Sequence, residues 1–343
     1  MNRLPSRKAW VPSRLPITVS SSMRKASTRR NNLSQQLQWF DRKGNVVGKV
    51  GSPGDLGGLK LSADGRHVAV HMVTAGVTDV WVIDLDRGVP NRLTFDPSLD
   101  VWPLWEPDGN RIVFATSRGG GVLPNKLFRK SSSGVGTEEM LYAGPAEEAL
   151  IARDVSSDGR YVIFDNTRLN DLSLDILAMP LSGVKKPFTY LHSSFNNTQP
   201  QLSPDGRWLA YSTNESGSYQ IVVRTFPDPN GGRWQVTANG GMEPRWRRDG
   251  RELYYVALDG KLMAVPIRPH STFQSDQATT LFKTPLTFPT SIPFPIRYDV
   301  TADGQRFLMT VPANTSENSA PAALPNPTPI VAIVNWTAAF RKK

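Results

Sequence analysis

The residues most able to do chemistry in this chain are four histidines and a recurring set of aspartates. His67, His71, His192 and His270 are the only histidines. His67 and His71 fall at i and i+4 of one strand-like run, on the same face and about 13 Å apart by strand rise, too far to share a metal. No H-E-x-x-H or comparable ligand cluster occurs, and no G-x-S-x-G nucleophile elbow. Gly119-Gly120-Gly121 is Gly-rich, but it follows a hairpin pattern and lacks the Lys-Ser/Thr of a phosphate loop. The chain has no cysteine, which excludes disulfides, thiolate metal sites and cysteine nucleophiles. The aspartates recur in one form, each followed by glycine: Asp64-Gly65, Asp108-Gly109, Asp158-Gly159, Asp205-Gly206, Asp249-Gly250 and Asp303-Gly304. One turn residue per repeat has a structural role ready to hand, and carboxylates spread over separate repeats do not make a metal site.

What must position these groups follows from the spacing. The six aspartates lie 44 to 54 residues apart. Each Asp-Gly separates strand-like runs, as in His67-Val68-Ala69-Val70, Tyr161-Val162-Ile163-Phe164 and Trp208-Leu209-Ala210-Tyr211. Glycine supplies the positive φ of a tight turn, and aspartate bonds the backbone two residues on. A third strand follows each hairpin, for example Gln220-Ile221-Val222-Val223-Arg224. A fourth follows that, such as Arg92-Leu93-Thr94-Phe95 or Arg233-Trp234-Gln235-Val236. Four strands per period, six periods and no helical pattern predict an all-β, six-bladed propeller with four-stranded antiparallel blades. Leu37–Phe40 and Val46–Val50 precede the first repeat, and Ile330–Val334 reads as a late third strand of the sixth. Strands from both termini are therefore expected to share the last blade, which leaves no free sheet edge. The strand count comes to 25, one more than six blades of four need, and deletion of 330–343 is expected to destabilise the domain. Trp105 and Trp246, at equivalent blade positions, are expected to pack between blades.

The formal charge of +10 concentrates at the N-terminus. Arg3, Arg7, Lys8, Arg14, Arg24, Lys25, Arg29 and Arg30 face no acidic residue before position 41. Residues 1–35 thus read as a disordered Ser-, Pro- and Arg-rich tail, and 36–343 as the propeller. The body carries no basic–aromatic stripe, so no specific nucleic acid is expected. No apolar run reaches the roughly 20 residues of a membrane span, and no secretory leader is apparent. As written, the chain is expected to be cytoplasmic and monomeric, with no cofactor and no metal.

Leu202-Ser203-Pro204-Asp205-Gly206-Arg207-Trp208-Leu209-Ala210-Tyr211 resembles the WD-like repeat of TolB-type propellers. Three further stretches sharpen the likeness: Leu93–Pro97 running into Trp102–Trp105; Arg233–Val236 through Pro244-Arg245-Trp246 to Tyr255; and Asp259–Pro266 with the terminal Asn335-Trp336-Thr337-Ala338. Together they resemble the C-terminal propeller of bacterial membrane-bound serine/threonine kinases. The kinase loop, H-R-D and D-F-G motifs are absent from this sequence, so phosphotransfer does not carry over. The resemblance implies a sensing or protein-interaction module, extracytoplasmic if the chain is a piece of such a kinase. The alternative is a propeller hydrolase or lyase working in the channel. Loops on one face are the expected binding surface for a protein, peptide or small polar ligand. They offer Asp96, Asp100, Arg118, Asn166, Asn196, Asn197, Asn214, Glu215 and Glu243. No catalytic residue is assigned.

Overall fold

The computed structural model describes residues 34–313 except 122, 170–172, 269 and 287–295. The chain enters through β1 (Gln35–Asp41) and β2 (Val46–Gly54). Blade one is β3 (Leu56–Leu61), β4 (His67–Thr74), β5 (Val77–Asp84) and β6 (Pro90–Arg92); blade two is β7 (Asp100–Trp105), β8 (Arg111–Thr116), β9 (Lys126–Ser131) and β10 (Glu139–Ala143). Blade three is β11 (Glu148–Val155), β12 (Tyr161–Arg168), β13 (Leu174–Pro180) and β14 (Phe188–Leu191). Blade four is β15 (Asn197–Leu202), β16 (Trp208–Thr213), β17 (Gln220–Thr225) and β18 (Arg233–Gln235). Blade five is β19 (Met242–Trp246), β20 (Glu252–Val256), β21 (Lys261–Pro266) and β22 (Thr279–Lys283). The last blade joins β23 (Tyr298–Val300) and β24 (Arg306–Pro312) to β1 and β2, in the order β2-β1-β24-β23. Every pairing is antiparallel, and the described residues contain no helix.

All six turns work as their residue types dictate. Each turn aspartate accepts the backbone N–H two residues on: Arg66, Asn110, Arg160, Arg207, Arg251 and Gln305, at 3.0 to 3.2 Å. Each glycine takes a φ of 69° to 73°. In four blades a hydroxyl two residues before the aspartate adds a clamp. Ser62, Ser156, Ser203 and Thr301 donate to the carboxylate and accept the N–H that opens the second strand. Where Arg247 replaces that hydroxyl, its guanidinium grips Asp249 instead.

The fourth strand of blade one ends at Arg92, earlier than the expected 92–95. Leu93 still donates to Val80 O, but Thr94 Oγ1 then takes the Val80 N–H (3.0 Å), so a side chain replaces the ladder. Thr237 does the same for Ile221 N in blade four (2.9 Å).

The closing blade explains the strand count. Its register runs from Gln35 opposite Pro312 to Asp41 opposite Arg306, and β23 completes four strands. Among the described residues there are 24 strands, not 25; the strand expected at 330–334 lies outside them, as does the basic tail. Each blade seam is apolar. Phe40, Tyr254, Phe282 and Phe307 fill the seam with blade five, and Leu37, Trp39, Val68 and Leu308 fill the one with blade one. Burial on both sheet faces is why no blade stands alone.

Candidate functional site

The innermost strands β3, β7, β11, β15, β19 and β23 surround the axis. Four residues before its turn aspartate, each contributes one residue at the same level: Lys60, Leu104, Asp154, Gln201, Arg245 and Asp299. Leu104 packs into the core between blades two and three. The other five line a cavity of about 220 Å³ that opens on the face carrying the Asp-Gly turns. Residues from all six blades form its wall, including Ala63, Pro107, Ser157, Pro204, Arg248 and Ala302.

The floor of this mouth is a polar lattice that stitches blades together. Lys60 Nζ reaches from blade one to Asp154 Oδ1 of blade three and Gln201 Oε1 of blade four, both at 3.4 Å. Asp154 Oδ2 accepts Leu202 N (2.9 Å), and Asp299 Oδ2 accepts Leu61 N (3.0 Å). Trp105 Nε1 donates to Lys60 O and Trp246 Nε1 to Gln201 O, the same contact in two blade pairs. The tryptophans therefore pack between blades, as expected, and also fix the rim. Both of these indole N–H groups, of Trp105 and Trp246, find a carbonyl partner across the seam.

Below the floor the channel is filled rather than open. Arg153 Nε pairs with Asp165 Oδ2 at 2.7 Å, both essentially without solvent exposure. Burial depresses the Arg153 pKa and raises that of Asp165. Gln199 and Glu243 sit at β-bulges with φ of 58°, a conformation unusual for side-chain-bearing residues. Their strain is over-determined by contacts. Gln199 Oε1 accepts Glu243 N (3.0 Å) and Ser212 Oγ (2.9 Å), and Tyr298 OH donates to Glu243 O (2.8 Å).

The nine residues expected to form a binding surface lie away from the Asp-Gly turns, in separate sets. Asp96, Asp100 and Arg118 form an ion cluster together with Glu138. Asn196 and Asn214 hydrogen-bond each other across a loop pair, at 2.8 and 3.3 Å. Asn197 donates to Ser193 Oγ (2.8 Å). Glu215 pairs with Arg233 at the surface. Glu243 Oε1 accepts Arg297 Nε (2.7 Å) deep in the ring. Asn166 lines a groove between blades two and three. Four of the nine are not loop residues. Asp100, Asn166, Asn197 and Glu243 belong to strands and are buried, because inner and second strands run further from the turns than the loop reading allowed. The mouth residues carry a signal of their own in the sequence: each lies four residues before the turn aspartate of its repeat, in five of the six repeats.

His67 lies beside Trp105, His71 Nδ1 faces Trp102 N at 3.4 Å, His192 pairs with Asp175, and His270 is exposed. Among the described residues no group of three or more His, Asp or Glu is arranged to hold a metal, and no helix is long and apolar enough to cross a membrane.

A family model described as the TolB beta propeller domain matches residues 41–224. The Tol-Pal system protein TolB of Helicobacter pylori is 24% identical over 162 residues, 47% of this chain and 37% of that protein. The chain thus spans well under half the length of that relative. A solved TolB-like chain from Agrobacterium tumefaciens superposes with a TM-score of 0.63 at 17% identity, covering 81% of this chain and 98% of that one. An oligogalacturonate lyase solved with manganese has a TM-score of 0.51 at 14% identity, covering 82% and 97%. At these identities the two solved structures show the fold alone.

Proposed function

The chain belongs to the TolB beta propeller domain family, and we propose that it is a non-catalytic, monomeric binding module that takes a protein or peptide partner at the channel mouth on the turn face. One observation carries this reading: all six blades converge on a mouth of about 220 Å³ whose floor is the Lys60–Asp154–Gln201 lattice. Such a site is concave, set on a rigid frame, and mixes apolar rim with a few fixed polar groups. Its size suits a side chain or a chain terminus rather than a folded domain. Its lining gives little support to catalysis. Ser62, Ser157 and Ser203 spend their hydroxyls on Asp64, Pro204 O and Asp205, and a nucleophile needs an adjacent base instead. The finer assignment, to the propeller region of membrane-bound serine/threonine kinases, rests on the ordered motifs from Leu93 to Pro266 together with the terminal Asn335-Trp336-Thr337-Ala338. A kinase reading frame fused or adjacent upstream in the genome supports it, and an unrelated operon contradicts it.

The test of the mouth uses the immobilised chain to capture partners, with two variant sets in parallel. Arg248→Glu with Ala302→Trp alters the rim at two exposed positions. Glu215→Lys alters the opposite face. Loss of capture in the first set alone is expected; loss in the second alone overturns the placement.

A further inference from the structure

A groove of about 510 Å³, within the range of small-ligand sites, lies where blade five meets the segment that links it to blade four. Its walls come from the β18–β19 link, the β20–β21 hairpin, and β22 with the residues just before it. Val236, Ala257, Met263 and Ala278 give it an apolar floor. These four are the partly exposed margin of the apolar cluster that fills the seam between the two blades.

Two consecutive glycines shape the inner wall. A Cβ on Gly240 would collide with Leu258 Cδ1, and one on Gly241 with Tyr255 Cδ2. Leu258 and Tyr255 therefore press directly on the backbone of the link. Tyr255 is only 5% exposed. Its hydroxyl makes no hydrogen bond among the described residues, and it is not sealed inside the protein: the small exposed part of the side chain opens into the groove. A tyrosine hydroxyl this deeply set ordinarily has a partner. Burial, and then the Asp259 carboxylate, hold its pKa above the usual tyrosine value, so at neutral pH it keeps its proton and is a donor.

The remaining lining decides what fits. The charged groups at the rim are spent on each other. Lys261 Nζ pairs with Asp259 Oδ2 at 2.7 Å, and Arg268 pairs with Asp276 at 2.5 Å. An ionic ligand therefore meets no unmatched charge of opposite sign. What is left unspent is an apolar floor and one fixed hydroxyl donor, and an uncharged molecule with a hydrocarbon body and an acceptor oxygen satisfies both.

We propose that this groove binds a small, uncharged, apolar carbonyl compound of the ketone class, with Tyr255 OH donating to the carbonyl oxygen and the hydrocarbon part lying on Val236, Met263 and Ala278. This site shares no lining residue with the channel mouth and does not depend on the function proposed for it.

The test is saturation-transfer NMR of acetophenone and cyclohexanone with the purified chain. Toluene serves as the hydrocarbon without an acceptor, and benzoate and benzylammonium as charged contrasts. At least one ketone is expected to receive at least fivefold more transfer than toluene. Tyr255→Phe keeps the ring packed on Gly241 and removes only a hydroxyl that no described residue uses, so it should fold and should abolish that preference. Thr280→Trp, at an exposed position of the lining, should fill the groove and cut transfer to the ketones at least fivefold. No transfer to either ketone overturns the proposal. So does a ketone preference that survives Tyr255→Phe, transfer that survives Thr280→Trp in a folded protein, or stronger transfer to benzoate or benzylammonium.

Discussion

At the residue scale, the turn aspartates are fasteners, and their ionisation shows it. The Ser62 hydroxyl holds Asp64 below the ordinary aspartate pKa, and the Thr301 hydroxyl does the same for Asp303. For Asp249 the dominant cause is Arg247, and for Asp108 it is the Asn110 N–H. A carboxylate whose folded pKa is depressed contributes stability that is fully present above its unfolded value, about 3.9, and is lost as pH falls through the folded value. The fold should therefore lose stability in the acid range below about pH 4, with several turns contributing together. Ser62→Ala removes the largest cause at Asp64. It should cost up to about 1 kcal/mol at pH 7, a figure reduced by solvent at this exposed turn. The difference from the parent should shrink below pH 3. Denaturant unfolding of both proteins at the two pH values measures this, and a constant difference would show that the clamp is not ionic in origin. The repeated S-x-D-G made this role legible in the sequence, because each atom involved lies within five residues of the turn.

At the element scale, blades are held at their inner rims by contacts that cross between repeats. Trp246 Nε1 to Gln201 O and Trp105 Nε1 to Lys60 O are the clearest pair. Trp246→Phe keeps most of the ring's apolar area but orphans Gln201 O. The expected loss is about 1 kcal/mol, against about 3–5 kcal/mol for Trp246→Ala, which also opens a cavity. Equal losses for both variants, in urea titrations, would mean that the hydrogen bond rather than the ring carries the seam. Strand order, hairpins and the core face were readable beforehand, since period-2 patterns and turn residues act locally. The lattice of Lys60, Asp154 and Gln201 was not, because it joins residues 94 and 141 positions apart whose meeting depends on ring closure. The same physics hid the burial of Asp100 and Glu243. Polar residues near loops read as solvated until Arg118 and Arg297 are placed against them.

At the scale of the whole molecule, the ring is closed by pairing β1 with β24 through seven consecutive partners. The two terminal segments thus share one blade, and the closing seams bury Phe40, Trp39, Phe307 and Leu308. Deletion of residues 1–54 should expose β24 as a free edge and abolish cooperative unfolding, whereas deletion of 1–33, which leaves β1 and β2 in place, should keep it. Differential scanning calorimetry separates the two cases. Closure is also what gathers one residue from each blade at the mouth, so the proposed site exists only in the intact ring. The most direct measurement is hydrogen–deuterium exchange of the chain with and without a captured partner. Binding at the mouth predicts simultaneous protection around 60–63, 105–107, 154–157, 201–204, 245–248 and 299–302. Protection confined to 96–100, 118, 196–197 and 214–215 would contradict it.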